Sequence, residues 1–140
     1  FATLSPPEIE KTVSQERRNA PDALVMVYIH GDREYEKKTA SQEKWSRRFS
    51  DAGANLVLWA HSHVYGPTER IGETTVAYGL GNFLFGGNGK WRNRDDVLGF
   101  SATYVPGSAP LVKPVGFISK NYVLDCAGEC TLPARNGDAP

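Results

Sequence analysis

The sequence is poor in several chemically informative residue types. Its 140 residues include three histidines, two cysteines and one methionine, and 16 basic residues balance 16 acidic ones. General nucleic-acid binders and membrane-surface binders are typically basic, so the absence of a basic excess argues against both classes. No apolar run approaches the roughly 18 residues that a bilayer-spanning helix requires. The length and composition suit a single globular domain.

Two common catalytic motifs are also missing. The chain has no Gly-x-x-x-x-Gly-Lys-Ser/Thr loop, which excludes P-loop nucleotide chemistry. It has no Gly-x-Ser-x-Gly segment either, which argues against a hydrolase with a serine nucleophile elbow.

The two cysteines lie close together near the carboxyl terminus. Cys126 and Cys130 belong to a turn-rich tail that we assign to residues 120–140. One interpretation is a small disulfide, which would indicate an oxidising compartment. Metal binding by this pair is the weaker alternative, because no histidine or further cysteine is near them in sequence.

Two apolar runs that end on histidines predict neighbouring strands. Residues 25–30 end on His30, and residues 56–60 are followed by His61 and His63. Buried strands of α/β sheets are typically continuous apolar runs. The helical pattern between them, from Thr39 or Ser41 to Ala52, has the length that a parallel strand–helix–strand crossover requires. The sequence thus predicts an α/β fold.

The rest of the chain shows weaker patterns. Ser5, Pro6, Pro7 and Glu8 form a typical helix start, with a capping hydroxyl, prolines in the first turn and an early acid. The elements expected along the chain are a helix over residues 6–18, a loop over 64–70, and strands over 23–29, 55–60, 74–78, 97–105 and 111–118.

The histidines are the strongest chemical signal. Ligand sites of such sheets lie beyond the carboxyl ends of the strands, so His30, His61 and His63 are expected at one edge. Neutral imidazole is the commonest protein metal ligand, and three could hold one or two divalent ions, with zinc, manganese and iron all acceptable. The alternative is that these histidines make structural hydrogen bonds. Carboxylates that could complete the ligand set or orient it are Asp32, Glu34 and Glu69.

Asn82 is a further candidate. It lies between Gly81 and Phe83 in a glycine-rich segment. Its side chain could hold a turn, or it could hydrogen-bond a substrate, and residue preferences favour the turn.

Several segments follow the motif order and spacing of one known family. Residues 22–35 resemble "vivslHWGxEY", residues 51–64 resemble "daGADlViGhHpHV", and shorter matches occur at Gln42, 67–69 and 78–83. The chain is identified on these motifs, over roughly residues 8–86, as a member of the CapA/PgsA family of bacterial capsule and poly-γ-glutamate synthesis proteins.

This resemblance implies a fold and a site. The family is similar to calcineurin-like metallophosphatases, which are four-layer α/β/β/α sandwiches with a metal site at the strand ends. Residues 1–119 would then form the C-terminal half of such a domain. The resemblance implies that His30, His61 and His63 bind a divalent metal, and it suggests that Glu34 and Asn82 lie near them. In a hydrolase, Glu34 or Asp32 would orient a ligand or water, so Glu34, Asp32 and Asn82 are the candidate catalytic residues. Family members are typically secreted or at the cell surface, which suits the disulfide interpretation.

The chain also departs from the family pattern. Gly31 and Asp32 stand where the family has Trp-Gly, Trp59 and Ala60 where it has Gly and often His, and Gly79 where it usually has Ser. The carboxylate motifs of the family's first half do not occur before His30. Half of a sandwich would expose a large apolar face, which isolated proteins avoid. We therefore expect a complementary N-terminal half, from the same precursor or from a second chain. The start at Phe1 is compatible with a removed signal peptide or anchor.

Two functions from different classes fit these observations. The first is a metal-dependent hydrolase, in which the ion polarises a phosphoryl or acyl oxygen and generates hydroxide. Its substrate would be a phosphoester, by fold analogy alone, or an anionic polymer such as poly-γ-glutamate. The second is a non-catalytic surface module that keeps the fold and binds a polymer or an assembly partner.

Overall fold

A computed structural model of the chain describes residues 3–82, 96–103, 105 and 111–118. The described part contains two helices and six strands. In chain order they are α1 (Pro6–Asn19), β1 (Met26–His30), α2 (Ala40–Asp51), β2 (Leu56–Ala60), β3 (Thr68–Ile71), β4 (Thr74–Ala77), β5 (Asp96–Thr103) and β6 (Leu111–Ile118). The predicted helices and strands are confirmed to within a few residues, but the loop predicted over residues 64–70 is wrong, because β3 begins at Thr68.

Both helices begin with a reciprocal hydrogen-bonded cap. At α1, the backbone N–H and the hydroxyl of Ser5 donate to Glu8 Oε2, at 2.7 and 2.6 Å. At α2, the Gln42 N–H donates to Thr39 Oγ1 at 3.0 Å, and the Thr39 N–H donates to Gln42 Oε1 at 2.9 Å. Such capping boxes provide hydrogen-bond partners for amide groups that have none inside the helix. The residues 5–8 and 39–42 therefore set where each helix starts.

The first sheet has the strand order β1-β2-β4-β3. Strand β2 pairs in parallel with β1 and with β4, and β3 pairs antiparallel with β4. The parallel crossover predicted from β1 through α2 to β2 is confirmed. Strands β5 and β6, both predicted as strands, form a separate antiparallel pair. The described chain is therefore a mixed α/β structure, and the four-layer sandwich stays a prediction.

The core lies on the face of the first sheet that carries the helices. Trp59 of β2 is 4% exposed, and its indole N–H donates to the buried Ser46 Oγ of α2 at 2.9 Å. Because the hydroxyl partners the indole, burying this large ring leaves no orphaned donor. The buried core residues are Val13, Val27, Phe49, Ala54, Val57, Trp59, Val76 and Tyr78.

Strand β1 exposes apolar side chains on its other face. Successive strand residues point to opposite faces. Val27 is buried, whereas Met26 and Tyr28 are 56% and 57% exposed, and Leu24 just before the strand is 36% exposed. β1 is also a terminal strand of its sheet. An apolar stripe therefore runs along one sheet edge and ends at His30.

Some predictions fall outside the described residues. The tail over residues 120–140, with Cys126 and Cys130, is among them, so the disulfide stays a prediction. Neither α1 nor α2 combines the length and apolar character needed to cross a bilayer.

Candidate metal centre

The pairing of β1 with β2 brings the three histidines together. His30 is in register with Ala60, so His61, one residue on, follows at the same edge of the sheet. The ring centroids of His30 and His61 are 5.0 Å apart, and those of His61 and His63 are 6.1 Å apart. His30 is exposed, and the other two are partly buried. The structure thus places His30 at the carboxyl end of β1, and His61 and His63 just beyond the carboxyl end of the parallel strand β2.

Glu34 adds a carboxylate to this group. Its Oε1 lies 3.9 Å from His61 Nε2. One ligand atom from each of Glu34, His61 and His63 lies within 4.8 Å of the others, and His30 is outside this trio. Tetrahedral sites with bonds near 2.1 Å hold their ligand atoms about 3.4 Å apart, so small side-chain shifts would close the trio around an ion. Two imidazoles and a carboxylate are also ligands that zinc, manganese and iron accept.

Asn82 orients His63. The Asn82 amide donates from Nδ2 to the His63 carbonyl oxygen at 3.2 Å, and its Oδ1 lies 2.9 Å from His63 Nδ1. Since the amide oxygen can only accept, the proton of a neutral His63 ring belongs on Nδ1. The Nε2 atom then carries the lone pair that a metal requires. Asn82 therefore acts on the imidazole, a role that neither sequence interpretation included.

The two loops that carry the site share an unusual backbone conformation. All four non-glycine residues with positive φ in the described part of the chain lie here: Asp32 at 76°, Tyr35 at 63°, His61 at 88° and His63 at 57°. Left-handed conformations cost roughly 1–2 kcal/mol per residue. Such residues cluster at functional sites, where surrounding contacts hold them in place.

Tyr35 connects the two loops. Its backbone N–H donates to the carbonyl oxygen of the buried Ser62 at 2.8 Å. Its ring stacks against His63, with centroids 5.9 Å apart and planes 30° apart. No role was predicted for Tyr35, and the only signal for one in the sequence was its place in the segment that resembles "HWGxEY".

Gly79 lets its own segment pass very close to the segment of residues 62–66, which contains His63. A Cβ added there would lie 2.5 Å from the Val64 carbonyl oxygen and 2.9 Å from Ser62 Oγ. A Cβ at Gly66 would lie 2.5 Å from the Gly79 nitrogen. The Gly66 N–H donates to the Gly79 carbonyl at 2.9 Å. This close backbone approach explains why glycine fits at residue 79, where the family usually has serine.

The other two candidate carboxylates have different partners. Asp32 Oδ2 accepts a hydrogen bond from Thr39 Oγ1 at 2.7 Å, at the start of α2. Glu69 pairs with Lys38, whose ammonium donates to Oε2 at 2.7 Å. Of the three carboxylates that the sequence offered, Glu34 is the one that the structure brings to the histidines.

The Lys38–Glu69 pair lies over the buried Tyr78. Lys38 Nζ is 4.5 Å from the centre of the Tyr78 ring. The hydrogen bond from Lys38 lowers the pKa of Glu69, and the same bond raises the pKa of Lys38. Burial raises the pKa of the Tyr78 phenol. Tyr78 is one residue before Gly79, so this ion pair lies against the end of β4 that leads to Asn82.

Replacing Glu69 by glutamine is expected to lower the free energy of unfolding by about 0.5–1 kcal/mol near neutral pH, and by less in acid. The hydrogen bond from Lys38 lowers the pKa of Glu69 in the fold, so its carboxylate stabilises the protein fully above the pKa that it has in the unfolded chain. That contribution disappears as the pH falls through the lower folded value. Urea unfolding at about pH 3 and about pH 7 measures the difference.

Glu73→Gln is the matched control for this test. Its carboxylate pairs with Arg70 and its side chain is 82% exposed, so the same substitution should change stability little at either pH. If Glu69→Gln and Glu73→Gln have the same pH dependence, the ion pair over Tyr78 does not contribute as stated.

Comparison with known proteins agrees with the motif assignment. The family model of the bacterial capsule synthesis protein PGA_cap matches residues 2–87, which include every site residue described above. The PGA biosynthesis protein CapA of Bacillus subtilis (strain 168) is 37% identical over 93 residues, 66% of this chain and 24% of that protein. The capsule biosynthesis protein CapA of Bacillus anthracis is 33% identical over 92 residues, 65% of this chain and 22% of that protein. The chain spans about a quarter of the length of these relatives. It belongs to the PGA_cap family of bacterial capsule synthesis proteins.

Proposed function

We propose that this chain provides the metal-binding part of a metal-dependent hydrolase-fold protein of the bacterial cell surface, which acts in the synthesis or processing of capsule or poly-γ-glutamate. The observation that carries the proposal is the trio Glu34, His61 and His63 beyond the strand ends. The process comes from the relatives, whose names give capsule and PGA biosynthesis. Those names state no reaction.

The side chains have distinct parts in this proposal. His61 and His63 offer nitrogen ligands, and Asn82 sets the tautomer of His63. His30 lies next to His61 on the solvent side, outside the trio, and its predicted ligand role stays a prediction. A bound divalent ion would polarise a phosphoryl or acyl oxygen and make a bound water a better nucleophile. An anionic polymer or a phosphoester is the substrate class that this chemistry favours.

Metal analysis together with a turnover assay tests the proposal. The native protein, purified with any polypeptide that accompanies it, is incubated with Zn²⁺, Mn²⁺ or Fe²⁺ and freed of excess ion, and it is expected to retain at least one ion per chain. It should then hydrolyse a chromogenic phosphodiester, and His61→Ala should lose both properties. Failure to retain any of the three ions would contradict the proposal.

A non-catalytic binding module is the second candidate. A two-metal hydrolase holds its ions about 3.5–4 Å apart between shared ligands. In the part of the chain that the structure describes, Glu34 is the one carboxylate grouped with the histidines. Stoichiometric metal without turnover, on the phosphodiester and on poly-γ-glutamate, would favour this candidate over the enzyme.

We also propose that a complementary half of the domain completes a four-layer sandwich against this chain. The exposed apolar stripe of Leu24, Met26 and Tyr28 on the terminal strand β1 supports this. The limited coverage of the relatives also supports it, since three quarters of their length lies outside the match. The intact mass of the native protein tests it. A single species with the mass of residues 1–140, stable alone, would contradict it.

A further inference from the structure

We infer that Glu34 binds the metal ion directly, as the third protein ligand beside His61 and His63, and that Tyr35 is the residue that positions it. The inference rests on the proposed function, because it requires that the site take a divalent ion. It goes further by assigning a ligand role to a carboxylate that the sequence could place only near the site, as a ligand or as an orienting group.

Glu34 pairs with a histidine of the site and not with a neighbouring basic side chain. Its loop is rich in bases, yet Arg33 pairs with Glu36 at 3.2 Å. The ion-pair contact of Glu34 within the described residues is His61 Nε2, at 3.9 Å. Carboxylate oxygens and imidazole nitrogens are both zinc ligands, and this separation is close to the roughly 3.4 Å between ligand atoms that share one ion.

Tyr35, the residue after Glu34, fixes the position of the loop that carries Glu34. Tyr35 follows Glu34 directly, and its N–H bond to Ser62 ties this loop to the turn between the two histidines. Its ring lies against His63. The left-handed φ of Tyr35, 63°, indicates that tertiary contacts hold the loop in this conformation against its local preference. The contacts of Tyr35 therefore hold the loop that carries Glu34 close to His61 and His63.

The trio of Glu34, His61 and His63 would supply three protein ligands to one ion. Asp32 is hydrogen-bonded to Thr39, and His30 lies outside the trio. One ion held by Glu34, His61 and His63 would have three protein ligands and retain an open position for water or substrate. That count is typical of catalytic sites, whereas structural zinc sites close all four positions with protein ligands.

Metal titration of matched variants tests the ligand role of Glu34. The full chain, Glu34→Gln and Glu36→Gln are titrated with Zn²⁺ and with Co²⁺, and the visible absorption of bound Co²⁺ reports its coordination. Loss of an outer-shell partner weakens metal binding by about 10- to 100-fold, so loss of a ligand should weaken it by at least about 100-fold. We expect that loss and an altered Co²⁺ spectrum for Glu34→Gln, with neither for Glu36→Gln.

Tyr35 is tested by conservative rescue. Tyr35→Ala removes the ring that contacts His63, and we expect metal affinity to fall by about 10- to 100-fold. Tyr35→Phe keeps the ring and should recover most of that loss. Thermal unfolding of the metal-free variants serves as the folding control, and it should shift far less than the affinity does. Equal affinities for Tyr35→Ala and Tyr35→Phe would overturn the positioning role.

The outcomes separate this inference from the proposed function. If the unaltered chain takes up none of Zn²⁺, Mn²⁺, Fe²⁺ or Co²⁺, both the ligand role of Glu34 and the proposed function are contradicted. If the unaltered chain binds metal and Glu34→Gln binds it as tightly as Glu36→Gln does, with the same Co²⁺ spectrum, the ligand role of Glu34 alone is overturned.

Discussion

His63→Ala is expected to weaken Zn²⁺ or Mn²⁺ binding by at least about 100-fold, and Asn82→Leu by about 10- to 100-fold. The first substitution removes a nitrogen of the proposed metal-binding trio. The second leaves the imidazole in place but removes the oxygen that lies 2.9 Å from Nδ1. Without that partner the ring can adopt the other tautomer and rotate, so fewer molecules present Nε2 to the ion. Isothermal titration with each ion measures both effects.

Asn82→Asp is the matched control for the orienting role. A carboxylate at residue 82 keeps an acceptor for the Nδ1 proton, and carboxylate partners of metal-binding histidines are common. It loses the hydrogen bond from Nδ2 to the His63 carbonyl oxygen. We expect Asn82→Asp to bind metal within about tenfold of the unaltered chain. Binding by Asn82→Leu as tight as that of Asn82→Asp would show that residue 82 does not orient His63.

Arg17→Ala is expected to lower the free energy of unfolding by about 2–4 kcal/mol, the largest effect on stability among these predictions. Its guanidinium group donates to the Gly53 carbonyl oxygen at 3.0 and 2.8 Å, and to those of Pro21 and Ala23 at 2.6 and 2.9 Å. It also donates to Asn55 Oδ1. One side chain thus joins the end of α1, the turn before β1 and the turn after α2, and its loss leaves several carbonyls without their donor.

Two variants test this interpretation of Arg17 by urea unfolding. Arg17→Lys keeps the charge but cannot reproduce the planar fork of donors, so it should recover less than half of the loss. Arg18→Ala removes an exposed neighbour on the same helix and should change stability by less than about 0.5 kcal/mol. If Arg17→Ala is no more destabilising than Arg18→Ala, the guanidinium bonds do not hold these turns together.

Strand β3 could not be predicted from the local sequence pattern. Its four residues, Thr68–Ile71, include Glu69 and Arg70, and two of the four are exposed. So short and polar a segment has little tendency to form a strand on its own. It is a strand because β4 pairs with it, from Thr68 with Ala77 to Ile71 with Thr74. Strands β1 and β2, in contrast, were predictable because burial demands an apolar run.

The order of residues along the chain was sufficient to predict both helices, the parallel pair β1–β2 and the gathering of His30, His61 and His63 at one edge of the sheet. These features follow from periodicity, capping residues and the geometry of parallel strands, all of which are local or nearly so. The choice of Glu34 over Asp32 and Glu69, and the tautomer of His63, depend instead on contacts between segments far apart in sequence. Tyr35 meets Ser62, and Asn82 meets His63, only once the loops have folded into left-handed conformations that no local preference favours.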